Sequence, residues 1–203
     1  MNILLATNNT GKIERFKKLI NATGLNVELY TPRELGIEAL DTEENGATLA
    51  ANAELKVRAY AGKTDLPILA NDTGFFVEGE GLIDAPKRVA LRGADESLLT
   101  QEDITAKLLE FWKGVARKYG GKVDAAWVEA FALLYPDGRL VTSDSRREVT
   151  LTDHEFGTAH PQMPVRALYY SKTTNKPSLH HTEEEEMQEM QPVIAALKKV
   201  LTA

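Results

Sequence analysis

Three stretches of this chain carry residue types whose spacing could do phosphate chemistry. The first is the apolar run Leu66 to Ala70 followed by Asn71-Asp72-Thr73-Gly74. Such a run reads as a short buried strand, and it would deliver Asp72 to the strand's carboxyl end, with Thr73-Gly74 as a tight turn. Ligands of α/β sheets bind at that edge. A carboxylate placed there can anchor a metal ion or activate a water, and the same residues can equally form a plain turn in which Asp72 bonds its own backbone. The second stretch begins with the apolar run Ile3 to Ala6 and continues as Thr7-Asn8-Asn9-Thr10-Gly11-Lys12. A helical pattern then sets Ile13, Phe16 and Ile20 on one face. Strand, glycine-containing polar loop, lysine and helix together present backbone N–H groups and an ammonium to an anion. The spacing is shorter than that of a P-loop. The third stretch, 78–94, is punctuated by Gly79, Gly81, Pro86 and Gly93 and carries Lys87, Arg88 and Arg92. A basic loop in an acidic protein suits an anion, although exposed arginines also serve solubility alone.

The elements that must position these residues are legible as an alternation of strands and helices. Asn26 to Tyr30 reads as a strand, Thr31-Pro32 as a helix or turn start, and 38–45 as an acidic solvated connection. Residues 47–62 form an alanine-rich helix with Leu49, Ala53, Val57 and Tyr60 on one face and Lys56 and Arg58 on others. Thr100 and Asp103 make a capping box before a helix that buries Ile104, Leu108, Phe111, Trp112 and Val115 and stops at Gly120-Gly121. Val123 to Tyr135 and Arg139 to Leu151 pair as a hairpin around Pro136-Asp137-Gly138. Residues 154–181 give no clear pattern, and their histidines have no zinc spacing. The segment from Thr182 is a helix with acidic residues at its positive end, which Pro192 kinks or restarts.

Composition narrows the function classes. The chain has 203 residues, a net charge of −6 and no cysteine. Such an acidic balance argues against broad nucleic-acid binding. The missing cysteines exclude a disulfide framework, thiolate metal sites and a cysteine nucleophile. Without a leader-like start or a long apolar span, a location in the cytoplasm and no membrane partner are expected.

Four separated segments, taken together, resemble the inosine triphosphate pyrophosphatase family (the Ham1 or RdgB-like house-cleaning enzymes). Leu5-Ala6-Thr7-Asn8-Asn9-Thr10-Gly11-Lys12 looks like its amino-terminal signature. Gly46-Ala47-Thr48-Leu49-Ala50-Ala51-Asn52-Ala53 through Arg58 is similar to its Gly-x-Thr-Phe-x-Glu-Asn-Ala helix, and Pro67 to Gly74 to its Pro-x-x-Ala-Asp-Asp-Ser-Gly segment. Pro86 and Arg92 fall at the spacing of its Pro-Gly-x-x-Ser-Ala-Arg loop. The resemblance implies one α/β domain over 1–203, an elongated mixed sheet with flanking helices forming two lobes around a central cleft, and a homodimer. It also implies Mg²⁺-assisted attack of water on the α-phosphorus of a nucleoside triphosphate, giving the monophosphate and pyrophosphate. Carried over, Asp72 and Lys56 would be catalytic, and Asp41 and Asp72 would hold the metal. Thr7, Asn9, Lys12, Asn52, Thr73, Gly74 and Arg92 would bind substrate; Arg166 is a further substrate-binding candidate from outside the matching segments.

The chain departs from that pattern in ways that matter chemically. The paired aspartates become Asn71-Asp72, and the glutamate before Asn52 becomes Ala51, so two acidic groups are gone. An amide at 71 lets Asp72 stay ionised more easily. Metal binding would be weaker or would draw on Asp41, Glu43 or Glu44. The family's Gly-Tyr-Asp-Pro and Ser-His-Arg elements have no counterpart; Met163-Pro164-Val165-Arg166 and Glu189-Met190-Gln191-Pro192 stand near their places. Arg166, Tyr169, Tyr170, His180 and His181 are the candidates for a rewritten base pocket. The rival expectations are a pyrophosphatase for another nucleotide and a catalytically lapsed nucleotide binder.

Overall fold

The computed structural model describes residues 1–38, 40, 42, 44–83 and 85–203. The fold is mixed α/β, with a seven-stranded sheet in the order β2-β1-β3-β5-β6-β7 and β4 paired to β3. The strands are β1 (Asn2–Leu5), β2 (Glu28–Tyr30), β3 (Ile68–Val77), β4 (Gly81–Ile83), β5 (Lys122–Leu134), β6 (Leu140–Thr152) and β7 (Tyr169–Ser171). The helices are α1 (Thr10–Ala22), α2 (Leu49–Ala59), α3 (Pro86–Ala90), α4 (Gln101–Lys118), α5 (Glu183–Glu189) and α6 (Gln191–Leu201). The described chain divides into two compact units: Met1–Thr73 with Val128–Arg146 and Met190–Ala203, and Gly74–Trp127 with Arg147–Glu189.

In the first unit the amino-terminal run pairs in parallel on both sides, Ile3↔Leu29 toward β2 and Leu5↔Leu69 toward β3. Parallel strands covered on both faces need continuous apolar runs, which is why Ile3, Leu4 and Leu5 are wholly buried. α1 starts where the Asn9 side chain accepts the Lys12 N–H at 3.0 Å, satisfying one of the helix's orphan donors. Phe16 of α1 meets Phe131 of β5 edge-on, with ring centroids 6.2 Å apart. α2 is capped by Thr48 and buries the expected face, Leu49, Ala53 and Val57, with Tyr60 just beyond its end. The β5–β6 hairpin closes at 136–138, Tyr135 N–H donating to Arg139 C=O and Gly138 N–H to Tyr135 C=O.

The second unit is built round Phe75, which meets Trp112 at 5.1 Å and Trp127 at 4.8 Å between centroids. Trp112 is therefore core, as its helical phase predicts. The capping box at Thr100 and Asp103 forms in both directions. A separate buried group links Arg147 to Glu189 at 2.8 Å, and His181 Nδ1 lies 3.2 Å from the same carboxylate.

Three readings of the sequence are corrected. The Thr73-Gly74 turn does not exist: β3 runs unbroken for ten residues, and Asn71 and Asp72 are buried within it. The apolar run stops at Ala70, but the ladder continues because the polar side chains that follow find partners inside the protein. Asp72 still lies beyond the end of a strand, that of β1, whose pairing with β3 ends at Leu69. The irregular stretch 78–94 contains β4 and α3, the latter with Pro86 in the first helical turn, where a missing N–H costs nothing. The unreadable stretch 154–181 contributes β7, paired antiparallel with β6 at Thr150↔Tyr170. Pro192 restarts a helix, as expected, separating α5 from α6.

Candidate active site

The Lys56 ammonium is the hub of the first unit's polar centre. Its Nζ donates to Asp72 Oδ1 at 2.7 Å, to Glu44 Oε1 at 2.8 Å and to the Asn71 carbonyl at 3.3 Å. The side chain reaches this position from α2, one turn after Asn52. Asn52 holds the second oxygen of Asp72, its Nδ2 donating to Oδ2 at 3.1 Å, while its own Oδ1 accepts the Gly46 N–H at 2.8 Å. Glycine is required at 46 because a Cβ there would lie 2.6 Å from that Asn52 oxygen. Asp72 thus has an ammonium on one oxygen and an amide on the other, with lone pairs to spare on each.

Beside this hub lies a hollow of about 200 Å³ lined by residues that include Thr7, Asn8, Lys12, Glu44, Lys56 and Asn71. Lys12 is exposed as a residue, yet its ammonium titrates below the usual lysine range. Lost hydration is the leading cause and the neighbouring Lys56 ammonium the second; Asp72 and Glu44 oppose both. The hollow is smaller than the roughly 300–1,000 Å³ of a drug-sized ligand site, and its cations, its loop N–H groups and the α1 terminus suit a phosphate chain.

The structure therefore brings together Thr7, Lys12, Lys56, Asn52 and Asp72 of the residues expected from the sequence. Asn9 lies in the same loop, but its carboxamide oxygen caps α1, and Asn8 lines the hollow instead. Thr73 uses its hydroxyl to accept from Asn71 Nδ2 at 3.1 Å. Gly74 is extended strand, not a turn residue. Arg92 and Arg166 belong to the second unit. Arg92 is exposed at the end of α3, and Arg166 pairs with Glu186 at 3.0 Å and donates to Ser178 at 3.0 Å. Of the base-pocket candidates, Tyr169 is buried, and its hydroxyl titrates above the usual range because of burial first and Glu189 second. His181 meets Thr174 at 2.7 Å, and His180 meets the Phe156 carbonyl at 2.9 Å. Asp41 and Glu43 lie outside the described residues. Glu44 is the acid whose role the sequence understated: half of its side chain is exposed, as befits a solvated loop, yet its carboxylate reaches Lys56. Glu129 was missed altogether. It is wholly buried on β5 and bonds Arg15 at 2.5 Å; a glutamate in an apolar strand is the signal that would have found it, since buried charges are seldom unpaired.

In this α/β sheet, Lys12 and Lys56 line one small hollow at the start of α1, and the buried Asp72 is bonded to Lys56 beside it. The chain belongs to the Ham1 family, whose model matches residues 3–200. It is 40% identical over 115 residues to the dITP/XTP pyrophosphatase of Thermoanaerobacter sp. (strain X514), a match spanning 57% of this chain and 55% of that protein. The dITP/XTP pyrophosphatase of Escherichia coli O157:H7 is 37% identical over 113 residues, 56% of this chain and 54% of that one. Against these relatives the match spans about half of their length. The dITP/XTP pyrophosphatase of Frankia alni matches over more, 33% identity across 75% of this chain and 74% of its own. Among solved structures, the Staphylococcus aureus Ham1 protein superposes with a TM-score of 0.72 at 22% identity, covering 100% of this chain and 98% of that one. A HAM1 protein from Coxiella burnetii gives 0.73 at 20% identity with 100% and 98% coverage. At such identities the likeness concerns the fold.

Proposed function

We propose that this chain hydrolyses a non-standard purine nucleoside triphosphate, of the dITP and XTP type, to the monophosphate and pyrophosphate. The observation that carries the reading is that Lys12 and Lys56 line one hollow while Asp72 is bonded to Lys56 beside it at 2.7 Å, in a chain of this family. Lys12, Lys56, Thr7 and the N–H groups opening α1 take up the phosphate charge. Asp72 accepts a proton from water or orients it toward the α-phosphorus; the new P–O bond forms there as the bond to the pyrophosphate oxygen breaks.

The donor set fits a hard divalent cation. Two carboxylates, Asp72 and Glu44, already converge with the Asn71 carbonyl on one positive centre, the Lys56 ammonium. Mg²⁺ usually takes one or two carboxylates and completes its shell with phosphates and water. No group of three or more metal-ligating side chains is found among the described residues, so Asp72 and Glu44 would hold the ion together with the substrate. When bound, the ion would neutralise phosphate charge and polarise the reacting phosphorus. Among the described residues no helix is long and apolar enough to cross a membrane. A homodimer and a substrate role for Arg92 are proposed on the resemblance, a cytoplasmic location and a substrate role for Arg166 on the sequence reading.

A panel of standard and non-standard nucleotides, incubated with and without Mg²⁺ and assayed for pyrophosphate, tests the reading. Release of pyrophosphate from dITP or XTP, faster than from ATP or GTP and lost with EDTA, is expected. No turnover of any triphosphate would reduce the protein to a nucleotide binder.

A further inference from the structure

We propose that Glu129 is a positioning residue for the anion hollow, holding both of its walls from inside the sheet. This rests on the reading of the hollow as a polyphosphate site. The Glu129 side chain is completely shielded from solvent, on β5 beside β3. One oxygen bonds the Arg15 guanidinium at 2.5 Å; the other lies 3.5 Å from the Asn71 carboxamide nitrogen, a long contact.

Each contact leads to a group already placed at the hollow. Arg15 lies three residues beyond Lys12 on α1, on the same side of the helix about one turn on. Asn71 turns its carbonyl to the Lys56 ammonium and its amide to Thr73, and the next residue is Asp72. A single buried carboxylate therefore ties the helix that carries Lys12 to the strand that carries Asp72. It also explains the residue type at 71. The Asn71 Nδ2 faces two acceptors, Glu129 Oε2 and Thr73 Oγ1, and an aspartate in its place would set two carboxylates against each other at that spacing. The amide at 71 and the glutamate at 129 thus form a matched donor and acceptor.

The experiment measures binding of inorganic tripolyphosphate by calorimetry without magnesium, alongside melting curves and nucleotide turnover, in the full chain. Glu129→Gln and Asn71→Asp should each weaken tripolyphosphate at least tenfold. In turnover, Glu129→Gln should raise KM by a similar factor while kcat stays within threefold. Asn71→Asp combined with Glu129→Gln relieves the carboxylate pair but leaves Arg15 without its carboxylate, and should stay at least tenfold weaker than the wild type. Should Glu129→Gln fail to fold for lack of a partner to Arg15, Arg15→Gln with Glu129→Gln removes that charge and should show the same tenfold loss. Unchanged affinity in the folded single variants or in either double variant overturns the proposal. Wild-type protein that binds tripolyphosphate but cleaves no nucleotide defeats the pyrophosphatase reading, and Glu129 is then judged by affinity alone. Wild type that binds no tripolyphosphate defeats the site itself and the proposal with it.

Discussion

Replacing Asp72 by asparagine separates binding from chemistry, because the structure gives its carboxylate opposite effects on the two. Asn52 and Lys56 surround the side chain, and an isosteric amide removes the negative charge while keeping the volume. Lys56 retains Glu44 at 2.8 Å and the Asn71 carbonyl at 3.3 Å, so its ammonium is not stranded. The lost charge-assisted bond should cost about 2 kcal/mol, lowering Tm by about 4–8 °C for a chain of this size. A phosphate oxygen about 5 Å from the carboxylate, at an effective dielectric near 20, is repelled by roughly 3 kcal/mol. Tripolyphosphate without magnesium should therefore bind the variant as tightly as the wild type or up to about 100-fold more tightly. Turnover with magnesium should fall by about 10²–10⁴, the range for loss of a positioned general base. Calorimetry in EDTA and pyrophosphate release with Mg²⁺ measure the two separately. Turnover within tenfold of wild type, or tripolyphosphate affinity weakened more than tenfold in a folded variant, would refute the assignment.

Two further outcomes follow from the same geometry and from the scaffold. Lys12 titrates below its usual range in the free protein, and a bound polyphosphate raises it again by supplying negative charge. Anion binding should therefore take up protons, be fullest below the free-state Lys12 pKa and weaken as pH rises through it; calorimetry in buffers of different ionisation enthalpy will show the uptake, and Lys12→Met should abolish it. Thr100→Ala removes the Oγ1 that accepts the Asp103 N–H at 3.1 Å and should cost about 1 kcal/mol, seen as a Tm drop of about 2–4 °C with pyrophosphate release unchanged.

How far the sequence speaks depends on whether a residue's partners are near it in the chain. The α4 capping box, the hairpin at 136–138 and the Pro192 restart are all set by neighbours within a few positions, and each was legible. The buried face of α2 followed from helical period alone. The course of β3 was not legible. Asn71 and Asp72 look like the end of a strand until Glu129, 58 residues away for Asn71, and Asn52, 20 residues away for Asp72, are brought to them. The same holds within the site. The resemblance pointed to Lys12, Lys56 and Asp72, but the part played by Glu44 depends on where a nonregular segment comes to rest, and no periodicity encodes that.

The charges around Lys56 explain how the hollow can be folded before it is filled. An ammonium with 13% of its side chain exposed needs anionic partners, and Asp72 and Glu44 supply them from a buried strand and an exposed loop. The pair to Asp72 is short and largely shielded, whereas Glu44 keeps half of its side chain in water. A surface-side partner of that kind contributes little to stability and is readily exchanged for a stronger anion. A polyphosphate entering beside Lys12 would thus displace Glu44 from Lys56 at small cost and leave Asp72 in place. The freed Glu44 carboxylate would then face whatever cation accompanies the phosphate chain. On this argument Glu44→Gln should leave tripolyphosphate affinity without metal nearly unchanged or improved, while raising the Mg²⁺ concentration needed for half-maximal turnover. A variant that instead loses affinity in EDTA would show that Glu44 positions Lys56 and does not merely hold its place.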